Sequence, residues 1–350
     1  MPRKSMAFPT VSTSDPLPRF LQEKLSPPES GGLTSSLPRE KGWLATHLYR
    51  YQGFWHPSNF LPAVLSCQAH FRSLPSDVLL VTTPKSGTTW LKALLFAILN
   101  RSHHPLPPHG SGAGHPHPLL SASPHELVPF LEYRLYFDTP APDLSVFRPP
   151  RIFATHLPFV SLPESVKGGS GGGDGRCKVV YLCRNPRDTF VSMWHFTNSL
   201  KTRDVAANLM EEVFDQFCRG VSLSGPFWDH VLGYWRESRE RPEEVLFLKY
   251  EEMKEQPGVH LRRIAAFLGC PFSGDEEGRG VVDDVASLCS FENLSGLEVN
   301  TSGKMPSGEE NRAFFRRGVV GDWKNHLTPA MVDRLDRITE EKLAGTGLTL

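Results

Sequence analysis

Four runs of apolar and β-branched residues recur along the chain, and three of them end in polar residues. The runs cover residues 76–82, 151–154, 178–183 and 245–250. Strands of a parallel sheet that is covered on both faces are apolar throughout, so we predict buried strands at these positions. Helices are predicted over residues 91–99, 189–198 and 259–268. Strands that alternate with helices predict an α/β fold, in which helices flank a central, parallel β-sheet and ligands bind at the carboxyl ends of the strands.

Segments rich in Pro, Gly and Ser interrupt this pattern. Residues 1–42 lack periodicity and predict a flexible N-terminal tail, with a transit peptide as the alternative. Residues 102–118 contain five His and five Pro, and the prolines favour a solvated loop over a metal-binding tract. Residues 167–176 are rich in glycine and predict a second loop insertion. We expect residues 43–345 to form a single domain around the sheet.

Composition narrows the possible partners. The 350 residues include 38 Lys and Arg and 38 Asp and Glu, so the formal net charge is zero. Nucleic acid and anionic membrane surfaces require a positive field and are therefore not expected as partners. The chain has no apolar leader and no run long enough to span a membrane, which predicts a cytoplasmic protein. Its six cysteines form no C-x-x-C pair, so reduced thiols and no metal site are expected.

The first predicted strand leads into a candidate anion-binding loop with the sequence Pro84-Lys85-Ser86-Gly87-Thr88-Thr89-Trp90. Gly87 allows the backbone to approach an anion, and the first N–H groups of the following helix point into the turn. Lys85 supplies a positive charge, and the two threonines supply hydroxyl donors. The loop is P-loop-like but is not a Walker A motif, because Lys85 precedes Gly87. It predicts a site for a phosphate or sulfate group.

This loop resembles the 5′-phosphosulfate loop of cytosolic sulfotransferases, and the resemblance covers about residues 43–340. Plant-type members of that family share further segments with the chain, at residues 51–55, 124–130, 151–158 and 316–324. The resemblance implies a single α/β domain that uses 3′-phosphoadenosine 5′-phosphosulfate (PAPS) as co-substrate. It also implies transfer of the sulfuryl group to a hydroxyl of a small, mostly hydrophobic acceptor of the flavonoid, steroid, hydroxyjasmonate or phenolic type.

The resemblance also assigns the residues that contact the nucleotide. Arg184 and Ser192 match the pair that binds the 3′-phosphate, although an ion pair of Arg184 with Asp188 is the alternative. Trp90, Tyr250 and Phe291 match aromatic positions around the adenine. The implied cofactor-binding residues are Lys85, Ser86, Gly87, Thr88, Thr89, Trp90, Arg184, Ser192, Tyr250, Phe291, Arg316, Arg317 and Gly318. Cys289 departs from the pattern, because many relatives have Thr at this position.

The implied catalytic residues are His156 and Lys85. His156 would be the general base of an in-line transfer, and Lys85 would stabilise charge on the bridging and 5′-phosphate oxygens. Ala154 occupies the position where many animal relatives have a second lysine, so cationic support is thinner here. Candidate acceptor-lining segments are residues 133–137, 194–196 and 295–305.

Two other functions and two assembly states stay open. A kinase-like nucleotide-binding enzyme would need the Walker A motif that the loop lacks. A catalytically inactive nucleotide-binding protein would be expected to have lost Lys85 or His156, and both are present. The oligomeric state stays open, and Pro329, which replaces a valine of the dimer motif of animal relatives, argues against that dimer contact.

Overall fold

The computed structural model describes residues 33–44, 47–106, 116–168, 177–201 and 205–350. Residues 1–32 of the predicted tail, and residues 107–115 and 169–176 of the predicted insertions, lie outside this described part. The strands within it are β1 (Arg39–Lys41), β2 (His47–Tyr51), β3 (Phe54–Pro57), β4 (Val78–Thr82), β5 (Ile152–Thr155), β6 (Lys178–Cys183) and β7 (Val245–Lys249).

Helices connect and cover these strands. The α-helices are α1 (Leu61–His70), α2 (Thr88–Asn100), α3 (Pro124–Leu127), α4 (Tyr136–Asp138), α5 (Glu164–Lys167), α6 (Pro186–Ser199), α7 (Met210–Cys218), α8 (Phe227–Glu240), α9 (Tyr250–Glu255), α10 (Pro257–Phe267), α11 (Gly274–Gly278), α12 (Val281–Leu288), α13 (Phe291–Gly296), α14 (Glu298–Ser302) and α15 (Pro329–Leu343). Shorter turns of 3₁₀ helix are Leu33–Ser36, Pro118–Leu120, Leu144–Val146, Phe159–Ser161, Asn311–Phe314 and Asp322–Asn325, and Leu131–Leu135 is π-helical.

The central sheet has the strand order β5-β4-β6-β7, and all of its pairs are parallel. The predicted α/β fold with a central parallel sheet is therefore confirmed. From β4 the chain crosses to β5 on one side and later returns to β6 on the other side. The loop that follows β4 consequently lies at the switch point, where open α/β sheets bind their ligands.

Apolar residues cover both faces of this sheet. Along β4, Leu79 and Val81 face one core cluster, which includes residues of α6 and α8. Val78 and Leu80 face the other cluster, which includes residues of α2 and α10. All five residues of β4 are buried, as the uninterrupted apolar run predicts. The polar residues that follow β4, β5 and β6 therefore stand at the edge of a rigid, fully packed layer.

Two features differ from the expectation for the N-terminal and His-rich segments. An antiparallel sheet of order β1-β2-β3 adds Leu48 and Trp55 to the core cluster of the central sheet, and its first strand, Arg39–Lys41, falls within the predicted tail. His117 is buried rather than solvated, because its Nδ1 accepts the backbone N–H of Leu119 and caps a 3₁₀ turn. In the described part of the chain, no helix is long and apolar enough to cross a membrane.

Candidate functional site

The loop between β4 and α2 makes two left-handed turns, at Lys85 (φ 70°) and at Gly87 (φ 103°). A Cβ atom at position 87 would lie 2.8 Å from Cδ2 of Tyr250, so both the backbone angle and the available space require glycine. Helix α2 begins directly afterwards, at Thr88. Its first backbone N–H groups have no partner within the helix and are available to an anion.

Every predicted site residue except Ser86 lines one cleft beside this loop, with a cavity volume of about 320 Å³. The predicted residues that line it are Lys85, Gly87, Thr88, Thr89, Trp90, His156, Arg184, Ser192, Tyr250, Phe291, Arg316, Arg317 and Gly318. Ser86 is fully buried, and its Oγ lies 2.6 Å from Oγ1 of Thr83. Its side chain therefore holds the loop together, where the sequence predicts a contact to the ligand.

Lys85 lies deep in the cleft, between cations and aromatic rings. Its Nζ is 3.9 Å from the ring centroid of Phe196 and 5.6 Å from that of Phe314. Burial, followed by the charges of Arg316 and Arg184, lowers the pKa of Lys85 to about 7. An anion placed among these three cations would raise that pKa again, because it favours the charged form of each.

Arg184 and Arg316 bring guanidinium groups to one side of the cleft. Arg184 donates from Nη2 to the carbonyl of Val319 at 2.6 Å, and its Nη2 lies 3.5 Å from Oδ2 of Asp188. The Nε atoms of both arginines are buried without a hydrogen-bond partner. Buried donors are normally satisfied, so these two are suited to an anion that enters the cleft. Arg184 thus makes the ion-pair contact and keeps a donor available.

Two carboxylates hold the arginine-bearing loop in place. Asp322 pairs with Arg316 and, at 2.7 Å, with Arg317. Asp188, at the start of α6, accepts the backbone N–H groups of Gly321 at 2.7 Å and Trp323 at 3.0 Å. These hydrogen bonds dock residues 316–323 against the helix that carries Ser192, which explains how positions far apart in sequence reach one cleft.

Aromatic side chains form another wall of the cleft. The rings of Trp90 and Tyr250 meet edge to face, with centroids 5.4 Å apart. Tyr250 donates its hydroxyl to the carbonyl of Gly318 at 3.1 Å. A Cβ at position 318 would collide with the ring of Phe291, so this glycine lets the arginine loop pack on the ring. Cys289 is fully buried beneath this wall, and burial raises the pKa of its thiol.

His156 follows β5 and projects into the cleft. Its Nδ1 lies 2.7 Å from the carbonyl oxygen of Thr82, an acceptor only, so Nδ1 carries the proton and Nε2 keeps its lone pair. Burial lowers the pKa of His156 to about 3, against the opposing effect of that hydrogen bond. The imidazole is therefore neutral, which is the form that can accept a proton.

The backbone around His156 is fixed by two further buried groups. Glu132 accepts the N–H of His156 at 2.6 Å and the hydroxyl of Thr155 at 2.8 Å. His230 donates from Nε2 to the carbonyl of His156 at 3.1 Å, while Tyr181 donates its hydroxyl to Nδ1 of His230 at 3.0 Å. Both peptide groups of the candidate base are thus satisfied by side chains from other elements.

The sequence did not identify three polar residues behind the phosphate loop: Lys92, His125 and Glu132. Lys92 is fully buried, and its signal was a single charge within the otherwise apolar run of α2. His125 lines the cleft, with Nε2 2.9 Å from Oγ1 of Thr89, and appeared only within a segment of the resemblance. No feature of the sequence pointed to Glu132, because the role of this carboxylate depends on its contacts with His156 and Thr155, which lie on another segment of the chain.

The other end of the cleft is mostly apolar. Its lining includes Phe60, Phe130, Tyr133, Phe196, Leu223, Met305 and Phe314. Of the predicted acceptor segments, Tyr133 and Arg134, Phe196, and Met305 reach the cleft, whereas Trp194 and His195 do not line it. Across the described residues, no group of three or more His, Cys, Asp or Glu is arranged to hold a metal ion.

Comparison with known protein families and sequences finds relatives that match nearly the whole chain. Residues 75–347 match the family described as the sulfotransferase domain. Cytosolic sulfotransferase 15 of Arabidopsis thaliana is 52% identical over 317 residues, which cover 91% of this chain and 86% of the relative. Cytosolic sulfotransferase 14 of the same plant is 50% identical, with 98% of this chain and 99% of the relative covered.

Solved structures of similar fold include plant and animal proteins. A putative steroid sulphotransferase of Arabidopsis thaliana is 43% identical, with a TM-score of 0.71, and the match covers 96% of this chain and 100% of that one. Mouse sulfotransferase SULT7A1, solved as a complex with PAP, is 26% identical, with a TM-score of 0.63, and the match covers 85% and 95% of the two chains.

Proposed function

The chain belongs to the sulfotransferase family, which confirms the resemblance found in its sequence, and we propose that it transfers the sulfuryl group of PAPS to a hydroxyl of a small, mostly hydrophobic acceptor. The observation that carries this proposal is the convergence of three cationic donors, two of them arginines with a buried, unpartnered Nε, and a neutral histidine on one cleft at the switch point of the sheet. Lys85, Arg184 and Arg316 supply the donors, and His156 supplies the base.

The residues of the cleft fit a nucleotide with two separated anionic groups. The start of α2 and Lys85 suit the 5′-phosphosulfate, because backbone N–H groups and an ammonium favour an anion there. The buried, unpartnered Nε atoms of Arg184 and Arg316 suit the 3′-phosphate. Trp90 and Phe291 offer aromatic surface for the adenine. When bound, PAPS supplies an activated sulfuryl group on a good leaving group.

His156 and Lys85 then have complementary tasks. The acceptor hydroxyl gives its proton to Nε2 of His156 as its oxygen forms a bond to sulfur, and the bond from sulfur to the bridging phosphate oxygen breaks. Lys85 offsets the negative charge that develops on the bridging oxygen. The bound anion also raises the pKa of His156 from its low value in the free protein, because an opposite charge favours the imidazolium.

The shape of the apolar end favours a flat acceptor. The ring centroids of Phe60 and Tyr133 are 4.6 Å apart, and those of Tyr133 and His156 are 5.6 Å apart. An aromatic or alicyclic skeleton would bury its faces against these rings and present a hydroxyl to His156. Flavonoids, steroids, hydroxyjasmonates and simple phenolics all meet this description.

Ligand binding tests the nucleotide part of the proposal. Isothermal titration with 3′-phosphoadenosine 5′-phosphate (PAP), in parallel with ATP and magnesium, should give a clear affinity for PAP and a far weaker response to ATP. Binding of ATP and magnesium in preference to PAP would support the kinase-like alternative and refute the proposal.

Turnover tests the role of His156. A screen of hydroxylated acceptors with radiolabelled PAPS should reveal sulfated products for the unaltered chain. His156→Asn should lower kcat by about 100-fold or more while the affinity for PAP stays nearly unchanged, because general base catalysis contributes roughly that factor. Near-normal turnover by this variant would contradict the assignment, and an inactive chain that still binds PAP would support the inactive-protein alternative.

A further inference from the structure

A buried lysine and a buried histidine connect the interior of α2 to the phosphate loop. Nζ of Lys92 lies 3.2 Å from Nδ1 of His125, and Nε2 of His125 lies 2.9 Å from Oγ1 of Thr89. Lys92 is completely buried, and His125 is only 5% exposed. The three side chains thus form one continuous hydrogen-bonded chain from the core to the cleft.

The chemistry of the three groups fixes the direction of this chain. An ammonium has three donors and no acceptor, so a charged Lys92 must donate to Nδ1 of His125. The imidazole then carries its proton on Nε2 and donates it to Oγ1 of Thr89. Because Nε2–H is the donor of this contact, the Thr89 hydroxyl cannot donate to His125, and its proton is available to an acceptor in the cleft, which Thr89 lines.

We propose that Lys92 and His125 act as a relay, which holds the Thr89 hydroxyl as a hydrogen-bond donor aimed at the phosphosulfate group. This inference rests on the proposed function and deepens it. Neither residue touches the reacting atoms, so both are positioning residues. A neutral Lys92 amine has a lone pair as well as N–H donors, so it would no longer fix the direction of the chain, and Thr89 would be free to donate to His125 instead of to the ligand.

Burial lowers the pKa of Lys92 well below its ordinary value, and two neighbouring groups oppose this effect. Its Nζ lies 3.5 Å from the ring centroid of Phe130, a position suited to a cation–π interaction. The charge of Glu132 raises the pKa of Lys92, although burial has the larger, opposite effect. An anion in the loop would further favour the ammonium. Lys92 also lowers the pKa values of His125 and His156, so its charge is felt at the candidate base.

The relay places the side chain of Lys92 close to the end of β5, where Ala154 stands in the position of the second lysine of many animal relatives. Ala154 donates its N–H to Pro129, and Phe130 pairs with Ala154 in an isolated parallel bridge. The face of the Phe130 ring in turn contacts Nζ of Lys92. The lysine near the end of β5 therefore comes from α2 and not from the strand itself.

The tautomer of His125 tests the relay directly. Proton–nitrogen NMR of the full chain labelled on histidine, with His125→Phe to assign its signals, should give the Nε2–H form for His125. In Lys92→Met the Nε2–H form should lose its dominance, because Nδ1 no longer receives a donor. An Nδ1–H form in the unaltered protein would overturn the proposal. This measurement uses the free protein, so its result does not depend on whether PAPS is the substrate.

Kinetics test the consequence for Thr89. Lys92→Met and Thr89→Val should each lower kcat/KM for PAPS about 10-fold, the scale on which supporting partners of a site matter. The double variant should have about the same kcat/KM for PAPS as the less active of the two single variants, since both changes interrupt one chain. Independent losses that multiply in the double variant would overturn the relay. His125→Gln keeps one donor and one acceptor and should retain more activity than His125→Phe.

Stability separates positioning from a structural role. Methionine fills the space of the buried lysine without a charge to desolvate, so Lys92→Met should unfold at the same or a higher temperature than the unaltered protein. A loss of activity that comes with a lower Tm would contradict the proposal. Lys342→Met on α15, far from the loop in sequence and partly exposed, is the matched control and should leave kcat unchanged. Failure of the unaltered chain to bind PAP would refute the proposed function alone.

Discussion

Replacing Glu132 with glutamine should make the protein more stable above neutral pH, even though it removes a charge that two donors contact. Burial raises the pKa of Glu132 to about 7 from its ordinary value of 4.5, against the opposing effect of hydrogen bonds from His156 and Thr155. A folded-state pKa above the unfolded one means that the folded protein holds the proton more tightly. The stability that this proton contributes is complete below pH 4.5 and is lost as the pH rises through 7.

The size of the effect follows from the shift. A difference of roughly 2.5 pKa units corresponds to about 3 kcal/mol of folding free energy at pH 8, and to about 1 kcal/mol at pH 5. Glutamine does not titrate, yet its oxygen can accept the N–H of His156 and its amide can donate to Oγ1 of Thr155. Glu132→Gln should therefore gain about 2 kcal/mol relative to the unaltered protein between pH 5 and pH 8.

Urea unfolding followed by tryptophan fluorescence at intervals from pH 5 to pH 8 measures this gain. Any cost of fitting the amide is independent of pH and cancels when the two pH values are compared. Glu340→Gln, an exposed position on α15, is the control and should differ from the unaltered protein by less than about 0.5 kcal/mol at every pH. A stability difference for Glu132→Gln that stays constant with pH would refute the argument that burial governs this carboxyl group.

Three further outcomes follow from the cleft. The pKa of Lys85, lowered to about 7 in the free protein, should rise when PAP binds. Titration calorimetry at pH 8 in buffers of different ionisation enthalpy should therefore detect proton uptake on binding. The affinity for PAP should also fall as the pH rises above 7. Gly318→Ala, which forces a Cβ into the ring of Phe291, should weaken PAP binding measured by the same method by about 10-fold or more, and unchanged affinity would contradict the packing argument. Arg184→Met should lower PAP affinity by about 10-fold or more, as expected for loss of a charge-assisted contact. Arg187→Met removes the pair with Asp336 and the contact over the ring of Trp323, neither of which lines the cleft, and should leave the affinity nearly unchanged.

The sequence was informative wherever local pattern and final environment agree. The buried strands of the central sheet are uninterrupted apolar runs, and the predicted limits differ from the observed ones by two residues at most. Helix α2 begins three residues earlier than predicted, at Thr88, because the polar threonines of the loop already have helical backbone. The small sheet β1-β2-β3 escaped prediction, since strands of three to five residues with mixed exposure leave no clear periodicity.

The sequence pattern could not predict that polar side chains are buried behind the cleft, and the reason is physical. A lysine within an apolar helix is ordinarily one that extends its ammonium to solvent, and only the packing of Phe130 and His125 over Lys92 removes that possibility. Ser86 presents the reverse case. Its place in the loop predicts a ligand contact, but the left-handed turn at Lys85 directs the Ser86 hydroxyl to Thr83.

The formal net charge of zero gives no indication that cationic side chains cluster in the cleft. Burial, followed by the charges of Arg316 and Arg184, lowers the pKa of Lys85. Asp322 and Asp188 lie next to the arginines and hold their loop, and the Nε atoms of Arg184 and Arg316 remain buried without a hydrogen-bond partner. The free protein therefore holds unrelieved repulsion and unmet hydrogen bonds that an anionic ligand relieves on binding. Lys85→Met removes both the buried charge and this repulsion, so it should stabilise the empty protein against unfolding while it weakens PAP binding. A variant with lower stability as well as lower PAP affinity would contradict the argument.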